Sequence, residues 1–231
     1  MIVRAEGWSV RHGFFGRPMD FAHGSASGEA DRRRALSELG GRLSELALVR
    51  QVHSARVVDV SEGALSELVT VEADALICNR PDRAIGVLTA DCVPVLVDAP
   101  DVGWVAAIHA GRRGALDEIV PATLSALARR GASASSLRVA LGPYIHAERY
   151  EVGEALYKTL PEVARHRDQS ARYCCALGRL IQSQLRACGV HDAQVVDLSI
   201  DTFGATRWHS YRRDAGASGR NLSAIVTRAC A

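Results

Sequence analysis

Between Ala84 and Gly114 the chain reads AIGVLTADCVPVLVDAPDVGWVAAIHAGRRG, and this stretch limits most sharply what the protein can fold into. It holds two apolar runs of strand length, AIGVLT and GWVAAIHA. Where each run gives out stands a side chain able to act as nucleophile or metal ligand, Cys92 and His109. Strand ends are where open sheets of mixed proteins place their binding crevices, so the pair belongs to a site rather than to a core. Pro94 cannot donate to a ladder, which argues against an uninterrupted central strand after Cys92 and for a bend beside the thiol.

At 231 residues the chain is long enough for one substantial core, and a single domain over residues 1–231 is expected. A composition of 48% hydrophobic and 23% charged residues argues against disorder and coiled coil. The formal net charge of +2 creates no field of one sign, so neither nucleic acid nor a membrane surface is expected as a partner. Of the 28 basic residues only Lys158 is lysine, which a codon-usage bias explains. Only arginines close to the site can then be read as bidentate partners of phosphate or carboxylate. MIVRAEGWSV lacks the pattern of a signal peptide and no apolar run approaches a membrane span, so a soluble, cytoplasmic protein is expected. Six cysteines, two of them adjacent at Cys174 and Cys175, do not suit a disulfide framework and are read as reduced thiols.

MIVRAEGWSVRHGFF reads as one or two strands, and GRPMDFAHGSASGEA as a mobile or ligand-facing loop. DRRRALSELGG reads as a helix with Ala35, Leu36 and Leu39 on one face, Arg32 to Arg34 solvated, and Gly40 and Gly41 as the stop. Leu46 to Val60 reads as a strand or a bent pair of strands with His53 in its middle, and ADALICN as another. After His109, Leu116, Ile119, Val120, Thr123, Leu124 and Leu127 recur at helical spacing up to Gly131, while Pro121 predicts a kink or a second helix. The Gly-flanked turn before that helix, with Arg112 or Arg113, is a weak anion-site signal. LRVALGPYIHAERYEVG reads as a strand and a turn at Gly142-Pro143. Helices follow over Gly153 to Thr159 and around Leu177 to Cys188, then the strand AQVVDLSI and a last strand, Leu222 to Thr227. The irregular alternation predicts an α+β layered sandwich rather than a doubly wound parallel sheet.

Zinc prefers imidazole nitrogen and thiolate sulfur, and a catalytic site needs three protein ligands and one open position. His53, Cys92 and His109 would supply such a set, although their separations show none of the short-range pairing of a zinc finger. Two other readings stay open on pattern alone. Cys92 can be a core thiol beside unrelated histidines, or a nucleophile with His109 as base and Asp91 as orienter. Asp91 can equally make a turn bond to backbone.

Seven segments in order, HGFF with Arg17, QVHSARV, EADALICNRP, VLTADCVPVLVDAP, VAAIHAGRRG, LGPYI with YEVG, and SYRRD with SGRNLSAIV, resemble the laccase-domain proteins. Members of that family, once described as multicopper polyphenol oxidases, are regarded as zinc-dependent purine nucleoside phosphorylases of the YfiH type. The resemblance implies a four-layer α-β-β-α sandwich with zinc on His53, Cys92 and His109. It implies phosphorolysis of adenosine, inosine and methylthioadenosine to base and sugar 1-phosphate, together with adenosine deamination. The implied substrates are a purine nucleoside and phosphate. Arg113, aligned with the family's arginine, and Arg212 or Arg213 are then the candidates for phosphate or transition-state charge, and Arg17 for substrate binding, while Cys92 and Asp91 are candidate catalytic residues from their own chemistry.

The chain departs from the family pattern in three places. Arg112 replaces a tryptophan beside the metal motif, Asp201 to Gly204 replace a Cys-Thr-aromatic-Cys segment, and GRPMDFAHGSASGEA is a shortened loop after Arg17. The alternatives are a metal-free cysteine hydrolase on Cys92 and His109, a copper phenol oxidase, and a non-catalytic nucleoside-binding protein. Eight scattered histidines count against a multicopper cluster.

Overall fold

A computed structural model of the chain describes residues 1–228 apart from 23, 41, 42, 44, 69 and 216. In chain order the strands and helices are β1 (Ile2–Val3), β2 (Arg11–Phe15), α1 (Gly28–Leu39), β3 (Glu45–Ala47), β4 (Val57–Asp59), α2 (Leu65–Leu68), β5 (Ala75–Cys78) and β6 (Arg83–Thr89). They continue as β7 (Val93–Ala99), β8 (Trp104–Ala110), α3 (Arg112–Leu116), α4 (Ile119–Ala128), β9 (Arg138–Leu141) and α5 (Glu154–Thr159). The last are β10 (Arg165–Arg167), β11 (Tyr173–Cys175), α6 (Leu177–Ala187), β12 (Val195–Asp197) and β13 (Asn221–Val226).

The strands build a five-stranded sheet, β1-β2-β13-β6-β3, and a six-stranded sheet, β12-β9-β7-β8-β5-β4, with β10 and β11 paired apart from both. Because successive strand side chains alternate between faces, each central strand feeds two cores. Leu76, Cys78, Leu96, Val105 and Ala107 of the six-stranded sheet meet Phe14, Ile85, Val87 and Ile225 of the five-stranded one. Their neighbours Ala75, Ile77, Val95, Val97, Ala106 and Ile108 pack outward with Ile119, Leu124 and Leu127 of α4 and Leu177, Ile181 and Leu185 of α6. On the far side Phe15, Ala84, Leu88, Leu222 and Ala224 pack against Ala35 and Leu39 of α1. The layers are therefore helix, sheet, sheet, helix, the expected four-layer α+β sandwich.

Several local expectations change. Leu46 to Val60 forms two short strands in different sheets, and His53 lies in the connection between them rather than inside a strand. Val93–Ala99 is a full central strand despite Pro94. At its register position the opposite residue, His109, sends its N–H to the carbonyl of Asp74 instead, so the β7–β8 ladder loses nothing. The bend falls one step earlier, at Asp91, where φ is 90°. The segment after Arg17 is no loose loop, since Met19 and Phe21 are buried and α1 starts inside it at Gly28, but its Ala22 faces a cavity, as the ligand-facing reading expects. Gly40 ends that helix at φ 78°, while Gly41 lies outside the described residues. At Pro121 the expectation of a second helix holds, because α3 ends at Leu116 and Pro121 sits in the first turn of α4, where its missing N–H costs no helical bond. The β10–β11 pair had no strong sequence pattern and was not anticipated.

Arg83 opens β6 almost fully buried. Its guanidinium donates to Glu45 at 2.7 Å and to the carbonyls of Val60, Glu62 and Gly63. An Arg83→Leu substitution leaves those acceptors without a donor, and urea unfolding should show a loss of about 3 kcal/mol.

Candidate metal centre and active site

Two connections carry the chain from the five-stranded to the six-stranded sheet, one from β3 to β4 and one from β6 to β7. His53 is on the first and Cys92 on the second. His109 comes from the end of β8, opposite Pro94, on the face that points between the sheets. Three residues remote in sequence thus meet where both crossings reach the end of one strand. Their donor atoms lie within 4.8 Å of one another, with Cys92 Sγ 3.9 Å from His53 Nε2. Among the described residues this is the one group of three or more His, Cys, Asp or Glu side chains placed to hold an ion.

Donors bound tetrahedrally to zinc stand about 3.5 Å apart. The His53–Cys92 distance is already close to that, and side-chain rotation suffices to draw in the rest. Gly111 makes room for the convergence: a Cβ there would stand 2.7 Å from His53 Cδ2 and 3.1 Å from Cys92 Sγ. Only hydrogen at this position lets the chain pass behind both ligands.

The residue that organises the group is Asp74, just before β5 and fully buried. Its Oδ1 is 2.8 Å from His109 Nδ1 and accepts from His53 N at 2.9 Å. Its Oδ2 accepts from Val52 N, Ser54 N and Ser54 Oγ. Those bonds hold His53 at φ 60°, a conformation uncommon for a residue with a Cβ. Local pattern in the EADAL segment does not mark Asp74 as a partner of the site. The available signal was a carboxylate directly preceding an apolar strand that pairs with the strand of His109.

The electrostatics follow from this packing. Burial opposes ionisation of Asp74, but the bonds from His109 and from the Ser54 backbone and hydroxyl outweigh it and hold the carboxyl down at about 2. Burial likewise opposes charge on Cys92 and His109, yet each stabilises the charged form of the other, so the thiol is shifted down and the imidazole up.

A carboxyl with a lowered native value stabilises the fold above its ordinary value of 3.8 and loses that contribution as pH falls through about 2. For Asp74 the shift corresponds to about 2 kcal/mol. Urea unfolding of metal-free protein should therefore show a stability gap between wild type and Asp74→Asn that holds down to about pH 4 and then closes as pH approaches about 2.

His53, Cys92 and His109 line a cavity of about 790 Å³, within the usual range for small-molecule sites. Leu88, Thr89, Ile145, Tyr150, Tyr211 and Arg212 form part of the wall, and Arg50 and Arg220 lie along it. Tyr150 is pushed up to about 12, first by burial and then by the nearby Cys92 and Cys175, so its phenol stays a neutral donor. The Arg212 guanidinium lies 5.4 Å over the Tyr150 ring. Nothing in the local sequence pattern of Tyr150, Arg50 and Arg220 distinguishes them from surface residues, although all three line the cavity.

The other expected site residues divide clearly. Asp91 lines the cavity but does not orient His109: its carboxylate accepts from Thr202 Oγ1 at 2.6 Å and from Arg212 N at 2.7 Å. It ties the Cys92 turn to the 202–212 segment, and Asp74 takes the orienting role. Arg212 is on the cavity wall, whereas Arg213 is used up on Asp214 and on the carbonyls of Thr202 and Trp208. Arg17 pairs with Asp214 at 2.9 Å and is not on the wall. Arg113 is exposed on α3 and also off the wall, because the helix turns it away from the metal corner. Asp201 accepts from the N–H groups of His146, Phe203 and Gly204.

Comparisons with known proteins bear on the fold and the family. The chain is 29% identical to a purine nucleoside phosphorylase of Deinococcus radiodurans, over 97% of this chain and 92% of that protein. It is 30% identical to adenosine deaminase RL5 of an unknown prokaryotic organism, over 90% and 86%. The fold matches the crystal structure of a Bacillus licheniformis hypothetical protein, YfiH, with a TM-score of 0.83 at 23% identity, covering 93% of this chain and 91% of that one. A family model described as multi-copper polyphenol oxidoreductase laccase matches residues 21–228, and the chain belongs to that laccase-like family.

Proposed function

We propose that the protein is a cytoplasmic, zinc-dependent purine nucleoside phosphorylase that also deaminates adenosine. The observation that carries this reading is the convergence of His53, Cys92 and His109 on one corner of a cavity wide enough for a nucleoside. Relatives named purine nucleoside phosphorylase and adenosine deaminase support the substrate class. Two imidazoles and one thiolate suit zinc, and three donors are too few for several copper ions. Five free cysteines among the described residues suit a reducing compartment, and no described helix is long and apolar enough to cross a membrane.

His53, Cys92 and His109 would hold a divalent ion, which when bound would supply Lewis-acid charge to the site. Arg212, on the wall and stacked on Tyr150, holds the phosphate; Tyr150 donates its phenolic hydrogen bond to the bound nucleoside. Phosphate oxygen then bonds to the sugar carbon, the bond to the purine nitrogen breaks, and the base leaves with the electron pair and takes up a proton. Asp91 contributes by fixing the Arg212 backbone. An Arg212→Gln substitution should raise the KM for phosphate about tenfold, or about 1.4 kcal/mol, with a much smaller change for nucleoside.

Incubation with adenosine, inosine and methylthioadenosine, with and without phosphate, tests the reading. Phosphate-dependent release of base and sugar 1-phosphate is expected, and inosine should also form from adenosine. Base release indifferent to phosphate, or none from any of the three, would overturn it.

A second reading has its own observation, since Cys92, His109 and Asp74 also stand in the order of a nucleophile, a base and an orienting carboxylate. A metal-free thiol hydrolase would be inactivated by iodoacetamide equally with and without zinc. Protection by zinc favours the metal enzyme, because coordination silences the thiol.

A further inference from the structure

Asp74 touches both histidines of the metal corner in different ways. Toward His109 it presents Oδ1 to the ring nitrogen Nδ1 at 2.8 Å. Both groups are buried, the carboxylate completely and the ring to 3% exposure, so no water competes for that bond. Toward His53 it works through backbone, gathering the N–H groups of residues 52 to 54 and the Ser54 hydroxyl. A carboxylate can only accept, so when the ring is neutral, as a metal ligand must be, its hydrogen sits on Nδ1 and the lone pair of Nε2 faces the corner shared with Cys92.

We infer that Asp74 is the positioning residue of the metal centre, selecting the ligating nitrogen of His109 while clamping the loop that presents His53. The inference rests on the metal reading above and adds to it a residue that would not touch the ion. One buried side chain thereby couples two ligands that lie far apart in sequence, on different elements.

Asn is the informative replacement. Its carbonyl oxygen, in the place of Oδ2, still accepts from Val52 N, Ser54 N and Ser54 Oγ, so the His53 loop keeps an anchor and loses only the bond from His53 N to Oδ1. Its NH2 group faces His109 Nδ1 as a donor, turning that nitrogen into an acceptor and moving the ring hydrogen to Nε2, where it blocks coordination. Ser54→Ala is the companion variant, because it removes one bond to the same carboxylate and leaves the one to His109 intact.

Zinc affinity is measured by competition with a chromophoric chelator, and the cobalt-substituted proteins by absorption, after urea unfolding has shown that each metal-free variant folds. Asp74→Asn should bind zinc about 10–100-fold more weakly, and Ser54→Ala within about twofold of wild type. Cobalt in Asp74→Asn should keep the sulfur-to-metal charge-transfer band from Cys92 while its ligand-field bands change with the loss of one imidazole. Wild-type affinity and an unchanged cobalt spectrum in Asp74→Asn would overturn the inference. So would loss of the sulfur band from a folded Asp74→Asn, since the carboxylate would then be holding up the whole corner rather than orienting a ring. Failure of the wild type itself to bind zinc would instead remove the metal reading on which the inference rests.

Discussion

Cys92→Ala should lose the ion and the activity together. The substitution removes the only sulfur donor of the corner and leaves two imidazoles, which hold zinc poorly without a third ligand. Phosphate-dependent base release should fall at least about a thousandfold, equivalent to about 4 kcal/mol of transition-state stabilisation. The fold should survive, because Cys92 lies in the turn between β6 and β7 and belongs to none of the three apolar cores. The measurement is base release at saturating nucleoside and phosphate, beside the urea midpoint of the same preparation. Activity retained within tenfold would mean that the thiol is not a required ligand.

Gly111→Ala is the second large effect, and it separates geometry from chemistry because no donor is removed. The backbone at Gly111, with φ −74° and ψ 167°, is open to any residue, so an alanine there is not strained by its own dihedrals. The added methyl instead presses on His53 Cδ2 and Cys92 Sγ. One ligand must move, and zinc affinity should drop at least about tenfold, or about 1.4 kcal/mol. Metal-free stability should change by less than about 1 kcal/mol. Chelator competition and urea unfolding read the two effects separately. Unchanged affinity would show that the corner is looser than its packing indicates.

The amino-acid pattern revealed the layers better than the connections. The apolar runs between Ala84 and Ala110 are legible because each strand must feed a core on both faces, and the helical spacing from Leu116 to Leu127 is legible because α4 buries one stripe. Cys92 and His109 could be placed at a site because they stand where those runs end. His53 could not be placed by periodicity: its neighbours are apolar since β3 and β4 flank it in two different sheets, which looks locally like one longer strand. Its role depended on the resemblance of QVHSARV to a family motif.

The partners of the site were the least legible part. Whether Asp91 or Asp74 orients His109 depends on which carboxylate the β5–β8 pairing brings beside the ring, and local sequence contains no such information. Adjacent arginines show the same limit. Arg212 reaches the cavity and Arg213 is consumed by carbonyls, although both stand in the same SYRRD segment, because a turn directs neighbouring side chains to different surroundings. Arg113 was expected at the site from its place in HAGRRG, and α3 carries it outward.

Crystals of the zinc-loaded protein, measured on both sides of the zinc absorption edge, examine the metal corner directly. A single anomalous peak about 2.0–2.3 Å from His53 Nε2, Cys92 Sγ and His109 Nε2 is the predicted result. A peak that omits any of the three, or none at full zinc loading, would contradict a shared ion in this corner.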